Sequence, residues 1–232
     1  MSDNNDLTRR MFSSFSHDLK TPLASIIGSL EVLSMMHTKL SEEKRNILIE
    51  TSLKESHRLD RYVSNILELS KLELGLVTKR IEQIYVKEAI EDALLLAGRL
   101  KHKASINLLN IDNDTIINSD LKLLARMIDI IIENAVIHSA DGNDGENVKI
   151  DIWYENKDGK SILVIRDYGV GIPLESFGEI FEKYSRIKQA DKKNTGTGLG
   201  LSIAREIGKL LDIEISASNH PKGGAIFEML FK

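Results

Sequence analysis

The feature that most constrains this chain is an apolar stripe with nothing nearby in sequence to cover it. Phe12, Phe15, Leu19, Ile26 and Leu33 recur at coiled-coil spacing, and Leu23 and Leu30 widen the face. A polar break follows near "HTKLSEEK". Ser41 followed by Glu42, Glu43 and Lys44 reads as a helix start with acids in its first turn. Leu48, Leu59, Tyr62, Ile66 and Leu69 mark a second stripe, and Gly75 is a natural stop. Between residues 7 and 75 there is one proline, and no block reads as a strand. Two long helices joined by a short loop make a hairpin, and a hairpin of about 70 residues has little core of its own. Pairing two hairpins into a four-helix bundle buries both stripes, so the expectation is a homodimer. The alternative is that the hairpin packs on the rest of its own chain.

From residue 76 the texture changes. "KRIEQIYV" reads as a strand, "KEAIEDALLLAGRLKHKA" as a helix, and "SINLLN" and "TIINSD" as short strands. "DLKLLARMIDIIIENAVIHSA" is a strong helix with Ser119 or Asp120 as its cap. "NVKIDIWYENKDGKSILVIRD" reads as two strands turning at Lys157, Asp158 and Gly159. "GLSIAREIGKLL" is a helix, and "IEISASNHPKGGAIFEML" a closing hairpin. Some strands are joined directly by turns and others through helices. This predicts a two-layer α/β sandwich, a mixed sheet with helices on one face. The expected domains are 1–75, an α-helical hairpin, and 76–232, the α/β sandwich.

Composition removes several function classes. The net charge of -4 over 232 residues gives no support to nucleic-acid binding. No apolar run approaches the roughly 18 residues of a membrane span, and "MSDNNDLTRR" is no secretory signal. The absence of cysteine excludes disulfides, thiolate metal sites and cysteine nucleophiles, and fits a reducing cytoplasm.

His17 carries the first chemical signal. It lies two positions from both Phe15 and Leu19, so at about 100° per residue it points away from the apolar stripe. Thr21 shares its face one turn on, Asp18 flanks it, and Pro22 removes a backbone donor just beyond. An imidazole with a free nitrogen is a competent nucleophile near neutral pH, and a neighbouring carboxylate can take its proton. Alone, such a residue is an ordinary solvated histidine, as His37, His57, His102 and His220 are read. The second half changes that. Asp167 ends an apolar strand in "RDYGVGIP", where Gly169 and Gly171 permit close approach of a flat ligand and Pro173 stiffens the exit. A carboxylate there can accept from an exocyclic amine such as that of adenine. In "NTGTGLGLSIA", Gly196, Gly198 and Gly200 bring backbone N–H groups to a helix N-terminus, which suits phosphates. The spacing is neither the Walker nor the Rossmann fingerprint.

Taken in order, these stretches resemble the catalytic core of a sensor histidine kinase of a bacterial two-component system. "SHDLKTPL" resembles the phosphoacceptor H-box, "ENA" part of the N-box, and "DYGVGIP" the G1 box. "IFEKYSRI" resembles the F box and "GTGLGL" the G2 box. "SHDLKTPLASIIG" and "NHPKGGAIFEMLF" also look like the potassium-sensing branch. The resemblance implies a dimerisation and phosphotransfer hairpin followed by a Bergerat-type ATP-binding domain. It implies that His17 receives the γ-phosphoryl group of ATP, that Asp18 helps deprotonate it, and that Thr21 positions water for dephosphorylation of a response-regulator receiver domain. Asn134 would hold Mg²⁺. Asp167 would bind the adenine amine, with Gly169, Gly171 and Ile172 lining the pocket. Phe181 and Tyr184 would seat a lid running from Lys183 to Leu199, and Gly196, Thr197, Gly198, Leu199 and Gly200 would close over phosphates. A cytoplasmic location is implied, with a membrane reached only through a sensor region outside this chain.

The N-box departs from the family pattern. Ile130 stands where a second asparagine is usual, Ile137 replaces a basic residue and His138 an aromatic one. Isoleucine cannot ligate Mg²⁺ or contact phosphate. A degenerate kinase serving as regulator phosphatase or scaffold therefore stands beside an active kinase; a third reading, a gyrase- or chaperone-like ATPase, has Ile130 against it, where such enzymes place a general-base glutamate.

Overall fold

The computed structural model describes residues 2–36, 39–98, 104–140, 148–157, 159–185 and 197–232, with the backbone alone at 2–17, 139–140 and 157. His37, His102 and Gly196, and most of the expected lid, lie outside the described residues. The chain divides into two compact units, Met1–Leu67 and Glu68–Lys232.

The first unit is helical. Helix α1, Ser2–Met36, continues through Pro22, whose missing N–H costs one intrahelical bond. Helix α2, Glu42–Glu73, starts where Ser41 Oγ accepts from the Lys44 N–H at 3.3 Å, with Glu42 and Glu43 in its first turn. Its end is closed by Gly75 at φ 65°, whose N–H reaches the Leu72 carbonyl at 3.1 Å, and by the Leu76 N–H on the Lys71 carbonyl at 2.9 Å. This is the paired hydrogen bonding of a Schellman stop. Buried Ser52 donates to the Leu48 carbonyl at 2.9 Å, so its hydroxyl is satisfied within the helix. Leu23, Ile27 and Leu30 of α1 and Ile47, Leu53 and Leu67 of α2 are exposed.

The second unit is a two-layer sandwich. Its elements after α2 are β1 (Glu82–Tyr85), α3 (Val86–Leu96), β2 (Ala104–Leu109), β3 (Ile116–Ser119), α4 (Leu121–Ala140), β4 (Val148–Lys157), β5 (Lys160–Asp167), α5 (Gly200–Leu211), β6 (Ile213–Asn219) and β7 (Ala225–Phe231). The main sheet runs β2-β4-β5-β7-β6, parallel at β2/β4 and antiparallel elsewhere; β1 and β3 form a separate antiparallel pair. Side chains alternate across the sheet. Ile150, Ile152, Leu163, Ile165, Phe227 and Met229, none more than 1% exposed, form its inner face. Helix α4 packs on β4 and β5 and lies between α3 and α5. This is the mixed sheet with helices on one face that the alternation of elements predicts.

Of the two cap candidates, Asp120 caps α4. Its Oδ1 accepts the Leu123 N–H at 3.0 Å and its Oδ2 the Arg80 N–H at 2.7 Å, while Ser119 closes β3. The last turns of α2 are tied to α4: Arg126 meets Glu68 at 3.0 Å and Asp129 at 2.7 Å. Among the described residues no helix is long and apolar enough to cross a membrane.

Candidate functional site

The site is built around the turn that leaves β5. Asp167 is 5% exposed at the end of that strand. Its Oδ1 accepts the Gly169 N–H at 2.8 Å, which folds the chain back at once, and the Ala225 N–H at 3.0 Å, which ties the turn to β7. Gly224, at φ 86°, makes the close approach feasible: a Cβ there would sit far inside contact distance of the Asp167 carbonyl and 3.0 Å from Tyr168 Cα. At the far end, Asn219 of β6 takes the place of a strand partner. Its Oδ1 accepts the Ile172 N–H at 2.8 Å and its Nδ2 donates to the Ile172 carbonyl at 2.7 Å. Gly171, at φ 79°, leaves room for that amide; a Cβ would lie 2.8 Å from Asn219 Oδ1. Between the two anchors Val170 is 77% exposed.

Helix α4 contributes Asn134, which is half-buried. One turn earlier Ile130 is 3% exposed and lies under the start of α5, where a Cβ on Gly200 would come 3.3 Å from its Cγ2. The apolar side chain is therefore a packing element between α4 and α5. Asp129 is buried beside Arg126; burial pushes its carboxyl above the ordinary range, against the pull of that guanidinium. Among the described residues no cluster of three or more His, Asp or Glu could hold a metal ion.

The glycine-rich loop meets the F-box segment. Gly198, at φ 67°, gives its carbonyl to the Tyr184 N–H at 2.9 Å, and a Cβ there would crowd Ser185 O at 3.1 Å. Tyr184 itself sits at φ 61°, a conformation that is strained for a tyrosine. Burial raises its phenol pKa, opposed by Lys183 and reinforced by Glu73. Thr197 Oγ1 accepts the Leu199 N–H at 3.3 Å, and fully buried Leu199 anchors the first turn of α5. Phe181 packs edge-on to Phe227, with ring centroids 6.5 Å apart. Phe227 lies opposite Ile165, two residues before Asp167.

The fold thus groups the second-half candidates: Asp167, Gly169, Gly171 and Ile172 on one turn, Tyr184 beside Gly198 with Phe181 against Phe227, and Asn134 on the helix that carries Ile130. In the first unit, His17 and Asp18 lie on α1, Asp18 half-buried and Thr21 exposed. Sequence reasoning missed Asn219 and Gly224. The glycine pair Gly223-Gly224 before β7 was a visible signal; Asn219, 47 residues beyond its partner Ile172, left none.

Residues 119–232 match the family model described as "Histidine kinase-, DNA gyrase B-, and HSP90-like ATPase". Residues 7–75 match the "His Kinase A (phospho-acceptor) domain". Sensor protein KdpD of Mycobacterium tuberculosis is 28% identical over 223 residues, 94% of this chain and 25% of that protein. The chain therefore spans a quarter of the length of that curated relative. The solved structure of Acinetobacter baumannii histidine kinase AdeS is 23% identical with a TM-score of 0.68, covering 93% of this chain and 97% of that one. Histidine kinase ThkA, solved in complex with response regulator protein TrrA, is 21% identical with a TM-score of 0.71, covering 99% of this chain and 63% of that one. With a phospho-acceptor domain followed by an ATPase domain of this kind, the chain belongs to the sensor histidine kinases and forms their catalytic core.

Proposed function

We propose that this chain binds ATP in the second unit, transfers its γ-phosphoryl group to His17, and passes that group to an aspartate of a response-regulator receiver domain. The observation that carries the reading is the Asp167 turn. A buried carboxylate is held rigid by two backbone N–H groups and backed by a glycine that admits no side chain. Such a site recognises an exocyclic amine on a flat base by geometry, with little reorganisation on binding. Gly169, Gly171 and Ile172 would line the base, and Thr197 to Gly200 would present backbone donors to phosphates at the start of α5.

His17 would act as the nucleophile: its Nε2 attacks the γ-phosphorus, the bond to the β,γ-bridging oxygen breaks and ADP leaves, while Asp18 draws on the proton at the other ring nitrogen. Thr21 would hold the attacking water when the regulator is dephosphorylated. Asn134, through its amide oxygen, would hold Mg²⁺ with phosphate and water oxygens, where the ion neutralises phosphate charge. The protein need supply few ligands to an ion that arrives on a nucleotide, so a single amide on α4 fits.

The hairpin would dimerise through the exposed apolar residues of α1 and α2. A receiver domain as partner is supported by the ThkA structure, solved with its regulator. ATP as substrate places the reaction in the cytoplasm.

One observation favours the second reading, a core acting chiefly as regulator phosphatase or scaffold: Ile130 is packed under Gly200 and offers no polar atom to the nucleotide. Incubation with Mg²⁺ and γ-³²P-ATP separates the two. The kinase reading predicts an acid-labile, alkali-stable label that His17→Gln abolishes with folding retained. A folded, dimeric protein that takes no label would contradict the kinase reading and favour the second.

A further inference from the structure

Asp151 is 6% exposed, yet it lies on β4 with its side chain on the sheet face that carries no helix. It has no place in the chemistry above. Its partners nevertheless converge. The Tyr168 hydroxyl donates to Oδ2 at 2.5 Å, Asn107 Nδ2 donates to Oδ1 at 2.8 Å, and Lys149 Nζ lies 3.8 Å from Oδ2. Two cations lie against the Tyr168 ring, Lys149 Nζ 4.4 Å and Arg166 Cζ 4.2 Å from its centroid. Arg166 Nε is buried with no hydrogen-bond partner among the described residues, so the stack is what holds this part of the guanidinium. Burial alone would raise the pKa of Asp151. The Tyr168 and Asn107 hydrogen bonds and the two cations outweigh it and hold the carboxyl below its ordinary range.

What makes this cluster more than a surface ornament is the residue it grips. Tyr168 is the residue between Asp167 and Gly169. Its side chain leaves on the outer face while that of Asp167 leaves on the inner one. Beside it, just before β7 and in line with the Arg166–Ile226 pair, Gly224 presses against the same backbone, 3.0 Å from Tyr168 Cα at its missing Cβ. The turn is thus held at its entry by Gly224 alongside and by the outer-face cluster, and at its exit by Asn219, while Val170 at its tip is exposed.

We propose that Asp151 and Tyr168 are positioning residues for the nucleotide: by fixing Tyr168 from the open face of the sheet, the Asp151 carboxylate sets the orientation of the Asp167 carboxyl and of the Gly169 backbone toward the base. The proposal rests on the ATP-binding reading above. It predicts that the cluster acts on nucleotide affinity and leaves the phosphoryl-transfer step itself alone. It also predicts that the two residues act as one unit.

The test is the kinetic split in Tyr168→Phe, Asp151→Asn and the double variant, measured with ATP equilibrium binding and thermal melting on the same preparations. Tyr168→Phe keeps the ring against its cations and removes only the hydroxyl, so the fold survives. The expected result is a rise of about three- to tenfold in both Kd and KM for ATP, with kcat within about twofold of the parent. The double variant should be no weaker than the weaker single, within about twofold, because either change alone breaks the same link. A lowered melting temperature with unchanged KM would reduce the cluster to a structural role and overturn the proposal. Multiplying effects in the double variant would overturn the single-unit claim. A parent protein that binds no ATP would defeat the functional reading first and this inference with it, an outcome distinct from a parent that binds normally and variants that do not differ from it.

Discussion

At the scale of single residues, the candidate site depends on contacts that tolerate no extra atoms. Gly224 has both a left-handed φ and a missing Cβ pressed against the Asp167 carbonyl. Gly224→Ala is expected to destabilise the second unit by about 3 kcal/mol or more, since strain and steric overlap add. Thermal melting measures this directly, and a loss under about 0.5 kcal/mol would show that the turn can move aside. Asp151 gives a pH signature at the same scale. Its carboxyl is more acidic in the folded protein than in the unfolded chain. Its contribution to stability is therefore complete above the ordinary carboxylate pKa and disappears as pH falls through the depressed folded value. Melting curves from neutrality to about pH 3 should show a steeper acid loss in the parent than in Asp151→Asn. Identical slopes would mean that Asp151 gains nothing from its partners.

At the scale of elements, much was legible and the reasons are local. Helix α5 spans Gly200–Leu211, the stretch "GLSIAREIGKLL" picked out by its period. The β4–β5 turn falls at Gly159, and the α2 stop at Gly75, because glycine at positive φ is written into the sequence. The bond from Asp120 to the α4 N-terminus was one of two candidates, and only geometry chose between them. What stayed hidden is long-range. Asp167 meets Ala225 across 58 residues and Asn219 meets Ile172 across 47, and no period or spacing marks such partners. Ile130 was legible as a departure from the family pattern, but its packing against Gly200 was not. That packing changes the expectation for repair by substitution. Ile130→Asn places an amide where the side chain is 3% exposed, so it should cost about 1–3 kcal/mol without nucleotide. If Mg-ATP supplies the amide with a partner, melting with nucleotide should recover much of the loss. Equal losses with and without nucleotide would show that position 130 does not reach the ligand.

At the scale of the whole molecule, the hairpin buries Tyr62 yet leaves several apolar side chains of both helices exposed. Leu30 is 52% and Leu53 55% exposed, and Ile27 and Ile47 are close to half exposed. Such residues cost little in water singly, and a second hairpin is expected to cover them. Sedimentation should find the chain dimeric at micromolar concentration, and Leu30→Glu with Leu53→Glu should shift it to monomer while the second unit keeps its melting transition. A monomeric parent would remove the four-helix bundle from the account.

The central claim is that a phosphoryl group moves from ATP to one histidine. The most direct measurement is to map the modified residue by mass spectrometry under alkaline conditions after brief incubation with Mg-ATP. Phosphohistidine is expected on the peptide that carries His17 and on no other. Phosphate on a different residue, or none on a protein shown to bind ATP, would contradict it.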